Sequence, residues 1–168
     1  MPDYFSLSST LASFWFQALP GVQQELIKES YHLLMDAKNH QFTLYDYAYV
    51  VMPAAKAYEG FVKDLIYKLG LISAKRYQGE RFRVGRALNP EYARYNPDGF
   101  EALYDDLSKL CQYQIAKDLW ETWLRCRNQV FHYFIKGNQS LSLNEAEKRL
   151  IMILNTVESA SRSCSRKK

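Results

Sequence analysis

Residues 48 to 70 read AYVVMPAAKAYEGFVKDLIYKLG, and the fold class turns on them. Ala48, Val51, Ala55, Tyr58, Val62, Leu65 and Leu69 recur at intervals of three and four, which is one face of a helix. Gly70 suits the position just past a helix end, and Leu71 supplies the apolar contact that closes such a stop. Pro53 falls inside the pattern. It has no backbone N–H to donate, so it predicts a kink, or a helix that begins there.

The same period recurs on both sides. A first helix is expected from Pro20 through VQQELIKESYHLLMDAK, with Val22, Leu26, Leu33 and Leu34 inward and NHQF ending it. Residues 72–97 lose the period and hold Gly79, Gly85, Pro90 and Pro97, which reads as an inserted loop or short hairpin. A further helix opens at NPDGFEALYDDLSKL, capped by Asn96 or Asp98, with Phe100, Leu103, Leu107 and Leu110 on one face. It continues, or restarts, through QIAKDLWETWLRCRNQVFHYF. Lys136 to Gln139 make a turn. The last helix begins with the capping box Ser142-Leu143-Asn144-Glu145 and turns Ala146, Leu150, Ile153 and Val157 inward. The sum is one all-α domain over residues 1–168, a four-helix bundle with an insertion at about 72–97 and a basic tail at about 162–168.

Bulk properties exclude several classes. With 48% apolar residues the chain has enough to build a core. No run of 18 apolar residues is present, so no membrane span is expected, and the N-terminal stretch makes a poor signal peptide. Cys111, Cys126 and Cys164 are odd in number and form no CxxC, which argues against a disulfide framework or a zinc site and fits a reducing cytoplasm. The net charge of +4 is unevenly spread. Lys75, Arg76, Arg81, Arg83, Arg86 and Arg94 face only Glu80 and Glu91, and RSCSRKK closes the chain. Such clustering favours a polyanion, with Arg76, Arg81, Arg83 and Arg86 as candidate RNA contacts and Tyr77, Tyr92 and Tyr95 as candidate stacking platforms. Two solvated surface segments would read the same way.

Chemistry concentrates in RCRNQVFHYF, residues 125–134. Arg127 and His132 lie five apart, about 140° around an ideal helix. Asn128 and His132 lie four apart and would share a face. For Arg127 and His132 to reach one spot, the helix must loosen, the arginine must swing round, or a second copy must complete the site. On the preceding helix Glu59 borders the apolar stripe, and a carboxylate there needs a partner, for which Arg127 is the natural candidate. A purely structural ion pair and a core-edge histidine are the plain alternative. Arg125 and Cys126 are read as structural.

Arg127-Asn128-x-x-x-His132 resembles the motif of the HEPN superfamily of helical ribonuclease and toxin domains, and its place before the last helix is similar too. The stretch Ala55-Lys56-Ala57-Tyr58-Glu59-Gly60-Phe61 resembles the HEPN domain of the RnlA and LsoA toxins, the RNase LS family, over roughly residues 46 to 157. That family sets a basic residue and a glutamate three apart on this helix. Lys56 and Glu59 match the spacing, with lysine where the family has arginine. The resemblance implies an endoribonuclease, the toxin of a prokaryotic toxin–antitoxin or phage-defence system, acting as a homodimer with this motif at the interface. Arg127 and His132 would be catalytic, with Asn128, Glu59, Lys56 and Tyr133 in support, and an antitoxin protein would be a partner. RNA carries its own nucleophile, the 2′-OH. A proton carrier and a cation for the phosphorane therefore suffice, and the reaction calls for no metal or cofactor. Two other roles within the superfamily compete: a non-catalytic RNA-binding or interaction module, and a toxin silenced by a nucleotidyltransferase partner. The latter type carries Tyr two residues after the His, where this chain has Phe134.

Overall fold

The structure, a computed structural model, describes residues 7–39, 43–95, 102–133, 135 and 140–164. Among the described residues there are helices and no strand, so the chain is all-α. Two short helices, α1 (Leu7–Ala12) and α2 (Phe14–Gln17), precede α3 (Gly21–Asn39) and α4 (Ala48–Lys68). The insertion holds α5 (Ala74–Gln78), α6 (Val84–Leu88) and α7 (Pro90–Tyr95). Next come α8 (Tyr104–Cys111) and α9 (Tyr113–Trp123), a π-helical segment (Leu124–Asn128), α10 (Gln129–Phe131) and α11 (Leu143–Ser163).

α4 and α11 form the centre, touching each other and both touching α3 and α9. The directions follow from contacts near the helix ends. Lys38 pairs with Glu147 at 2.6 Å, and the Tyr47 N–H donates to the Leu141 carbonyl at 2.9 Å, so α3 ends where α4 and α11 begin. The Thr122 and Thr156 hydroxyls are hydrogen-bonded at 2.8 Å in the core, and the Cys126 thiol reaches the Arg149 carbonyl. α9 therefore runs against α11.

The predicted face of α4 is buried: Val51, Ala55, Tyr58, Val62, Leu65 and Leu69 are all core residues. Val50, Ala54, Ala57, Phe61 and Ile66 join them, which widens the stripe as a central helix requires. Its end is a Schellman stop. Gly70 sits at φ 76, its N–H donates to Tyr67, and the Leu71 N–H donates to Ile66. The helix runs through Pro53. The Ala54 N–H beside it donates to the buried Ser30 hydroxyl at 2.8 Å, a side-chain partner supplied from α3.

Several expectations are corrected. On α3 Leu34 is buried as read and Leu26 and Leu33 pack partly against the core, whereas Val22 is 73% exposed; Gln23, Ile27, Ser30 and Ala37 complete the buried stripe. The two polar residues in it each find a partner, Ser30 on Ala54 and Gln23 on Asp64. The insertion is neither loop nor hairpin. Val84, Ala87 and Leu88 are fully buried, and a Cβ at Gly85 would collide with the Trp123 ring. Of the two expectations after α8, a continued helix or a restart, the structure shows the restart: α9 begins anew after Gln112, which has φ 77. The predicted caps Asn96 and Asp98, Phe100 and the turn 136–139 lie outside the described residues. Cys111 and Cys164 are joined in a disulfide and Cys126 is the buried free thiol, contrary to the reading from an odd cysteine count. Fifty-three residues separate the pair in sequence, and only the docking of α8 beside the end of α11 brings them together.

Candidate functional site

The site begins with Tyr58 and Glu59 on α4. The Tyr58 hydroxyl is buried and donates to the Leu119 carbonyl of α9 at 2.7 Å, and burial holds it well above the usual phenol range. That bond docks α4 on α9 and leaves the next side chain, Glu59, at the edge of the core. Glu59 Oε2 lies 3.3 Å from Arg127 Nε, as the sequence requires of a core-edge carboxylate. Both side chains keep about a third of their surface (34% and 39%), so the pair is a half-open ion pair within reach of a ligand.

Arg127 and Asn128 stand in the π-helical segment, where the Gln129 N–H donates to Leu124, five residues back. The helix has loosened at the motif, one of the three conditions for Arg127 and His132 to meet. Such single-turn π segments occur frequently at functional sites. The helix then ends. His132 closes α10 with φ −110 and ψ 136, which is extended backbone. The expectation that Asn128 and His132 share a helical face is therefore corrected, and the 140° separation of an ideal helix no longer applies. His132 is exposed and Asn128 half-buried. Lys56 is exposed one turn before Glu59, and Tyr133 is 78% exposed.

Neighbouring groups set limits on the chemistry. Cys126, beside Arg127, is fully buried. Burial pushes its thiol up to about 12 despite Arg149 and Arg125 nearby, so it is no nucleophile near neutral pH. Arg125 is exposed and lines a groove with Trp120 and Lys117.

The basic insertion is a built element. The Tyr77 hydroxyl donates to Asp64 at 2.6 Å and its ring stacks on Tyr67 at 4.5 Å, so Tyr77 is a strut between α5 and α4 and not a platform for bases. Arg83 donates to the Glu80 carbonyl at 2.9 Å, and the Arg86 guanidinium lies 5.4 Å from the Tyr92 ring centre. Arg81 is exposed and Arg76 half-buried. The side chains of Arg94 and Tyr95 and the tail beyond Cys164 lie outside the described residues.

Apolar spacing does not mark the π segment, because a one-residue change of register leaves no trace in it; the five-residue Arg127–His132 spacing pointed to a loosened helix only as one condition of three. No known family model, curated protein or solved structure matches the chain. Among the described residues no helix is long and apolar enough to cross a membrane.

Proposed function

We propose that the chain is an endoribonuclease that cleaves RNA by attack of the 2′-OH, with Arg127 and His132 as its catalytic residues. The observation that supports this most is the Glu59–Arg127 pair at 3.3 Å on a π-helical turn four residues before His132. An arginine held by one carboxylate keeps guanidinium N–H groups for phosphate oxygens. In the reaction His132 takes the 2′-OH proton, O2′ bonds to phosphorus, and the bond from phosphorus to O5′ breaks. An imidazolium returns a proton to O5′, leaving a 2′,3′-cyclic phosphate and a 5′-OH. Arg127 stabilises the charge on the phosphorane oxygens, Glu59 positions Arg127, Lys56 adds positive potential and Asn128 orients the phosphate.

Exposed apolar residues at the start of α4 and after α10 support a homodimer. Leu44, Tyr45 and Met52 lie at the start of α4, and Tyr133 and Ile135 follow α10. Asp46 Oδ1 accepts the Leu141 N–H and thereby joins the two connections. Residues of this size left in water are candidates for a protein interface, and a second copy would bring a second His132 to the cleft. An enzyme of this kind harms its own cell, so a toxin with an antitoxin partner is the biological reading. The competing reading, a binding module that uses the same pair without chemistry, predicts RNA binding and no products. The test is cleavage of a labelled RNA by Arg127→Ala and His132→Ala variants whose circular dichroism matches the parent. Each should lose about 100-fold or more in rate. Parental rates in both would refute the assignment.

A further inference from the structure

A pocket of about 220 Å³ lies where the turn after α2 and the start of α3 meet the second half of α4 and the end of α11. Neither Glu59, Arg127 nor His132 lines it, so it is separate from the candidate nuclease site. Trp15, Leu19, Phe61, Leu65 and Leu69 form its apolar walls. Each keeps 7–8% of its surface, whereas Val62 and Ile66 on the same helix as the last three keep none. The Cys111–Cys164 bond anchors the end of α11, whose Ser161 and Cys164 close the remaining side.

One polar group here lacks a partner. Gln23 lines the pocket with only 8% of its surface exposed. Its Nε2 donates to Asp64 Oδ2 at 2.7 Å, and Asp64 Oδ1 accepts the Tyr77 hydroxyl at 2.6 Å. These bonds fix which way the amide points, because the opposite orientation would set Oε1 against a carboxylate oxygen. Oε1 is left buried with no hydrogen-bond partner among the described residues. Gly60 makes room for the amide, since a Cβ there would stand 3.1 Å from Nε2. A buried acceptor without a donor is costly. Reaching Oε1 takes a small movement of the side chains that cover it, and pairing the orphaned acceptor favours that movement.

Size and charge narrow the ligand. A cavity of about 150 Å³ takes one benzene ring, so this pocket has room for one or two rings. Trp15 and Phe61 favour an aromatic body. Asp64 and Lys68 contribute one charge of each sign, so no net charge selects an ion.

We propose that this pocket binds a small neutral aromatic molecule with a single N–H or O–H donor. The ring lies against Trp15 and Phe61, and the donor pairs with Gln23 Oε1. The shared chemistry has two sources, an indole and a phenol.

Isothermal titration with indole and phenol distinguishes them. Indene and toluene, which match their shapes but carry no donor, are the controls. At least one of the two donors should bind saturably, about fivefold or more tighter than its control. Its addition should shift the Gln23 side-chain amide signals in NMR spectra. Gln23→Met keeps the length of the side chain and removes the amide, so it should bring donor and control to equal affinity. Ser161→Trp, at an exposed position on the rim, should block the mouth and weaken binding about tenfold or more, in a protein whose circular dichroism matches the parent. Arg127→Ala should leave binding unchanged, so this site and the nuclease reading fail separately. The proposal is overturned if neither donor saturates the protein, if indene and toluene bind as tightly as indole and phenol, or if Ser161→Trp binds like the parent.

Discussion

Arg127 and Glu59 carry the account at the scale of single residues. Their pairing was legible from the sequence, since Glu59 borders the apolar stripe of α4 and a carboxylate there calls for a cation. The backbone of His132 was not. Whether a helix stops one residue before a histidine depends on how its last turn packs, and nothing in VFHYF marks the stop. The ion pair keeps about a third of its surface, so it adds little to folding. Glu59→Gln should change the free energy of unfolding by less than about 1 kcal/mol. It should still slow RNA cleavage about tenfold or more, because a loosely held guanidinium is poorly placed for the phosphorane. Urea denaturation and a cleavage time course on the same sample check both halves. A large loss of stability with unchanged cleavage would make the pair structural.

At the scale of elements, ends were easier to read than interiors. Gly70-Leu71 and Ser142-Leu143-Asn144-Glu145 encode a stop and a start in local chemistry, and both form as read. The insertion and the place of Val22 on α3 were misread, each for its own reason. Helices of five or six residues are too short to show a period, and α3 buries Gln23 and Ser30 for hydrogen bonds made to α4. The capping box gives a pH-dependent prediction. Hydrogen bonds from the Ser142 backbone and then its side chain hold the Glu145 carboxyl below the usual range. A depressed folded-state pKa adds stability above the unfolded value, near 4.3, and this stability is lost as pH falls through the folded value. Ser142→Ala should therefore cost about 1 kcal/mol at neutral pH and less in acid, where protonated Glu145 no longer contributes. Denaturation curves at both pH values, with the Glu145 titration followed by NMR, read the two effects. An equal penalty at both would separate Glu145 from the cap.

Across the whole molecule, the all-α class was legible because four segments repeat one period. What joins distant segments was not. The Cys111–Cys164 bond ties the end of α8 to the end of α11, and it depends on tertiary docking that a cysteine count does not contain. A double Cys111→Ser, Cys164→Ser variant should lose about 2–4 kcal/mol of stability relative to the oxidised protein. Its RNA cleavage below the melting range should be unchanged. Arg149, whose carbonyl meets the residue beside Arg127, is fifteen positions from Cys164 on α11, about 22 Å along the axis. Lost cleavage in a folded double variant would show that the two ends are coupled.

The most direct measurement is the chemistry of the ends. A defined RNA is incubated with the parent protein and with the Arg127→Ala and His132→Ala variants in excess EDTA, and the fragments are weighed by mass spectrometry. The parent should yield 2′,3′-cyclic phosphate and 5′-OH ends, and the variants should yield almost none. Intact RNA with the parent protein, or equal product from the variants, would contradict the account.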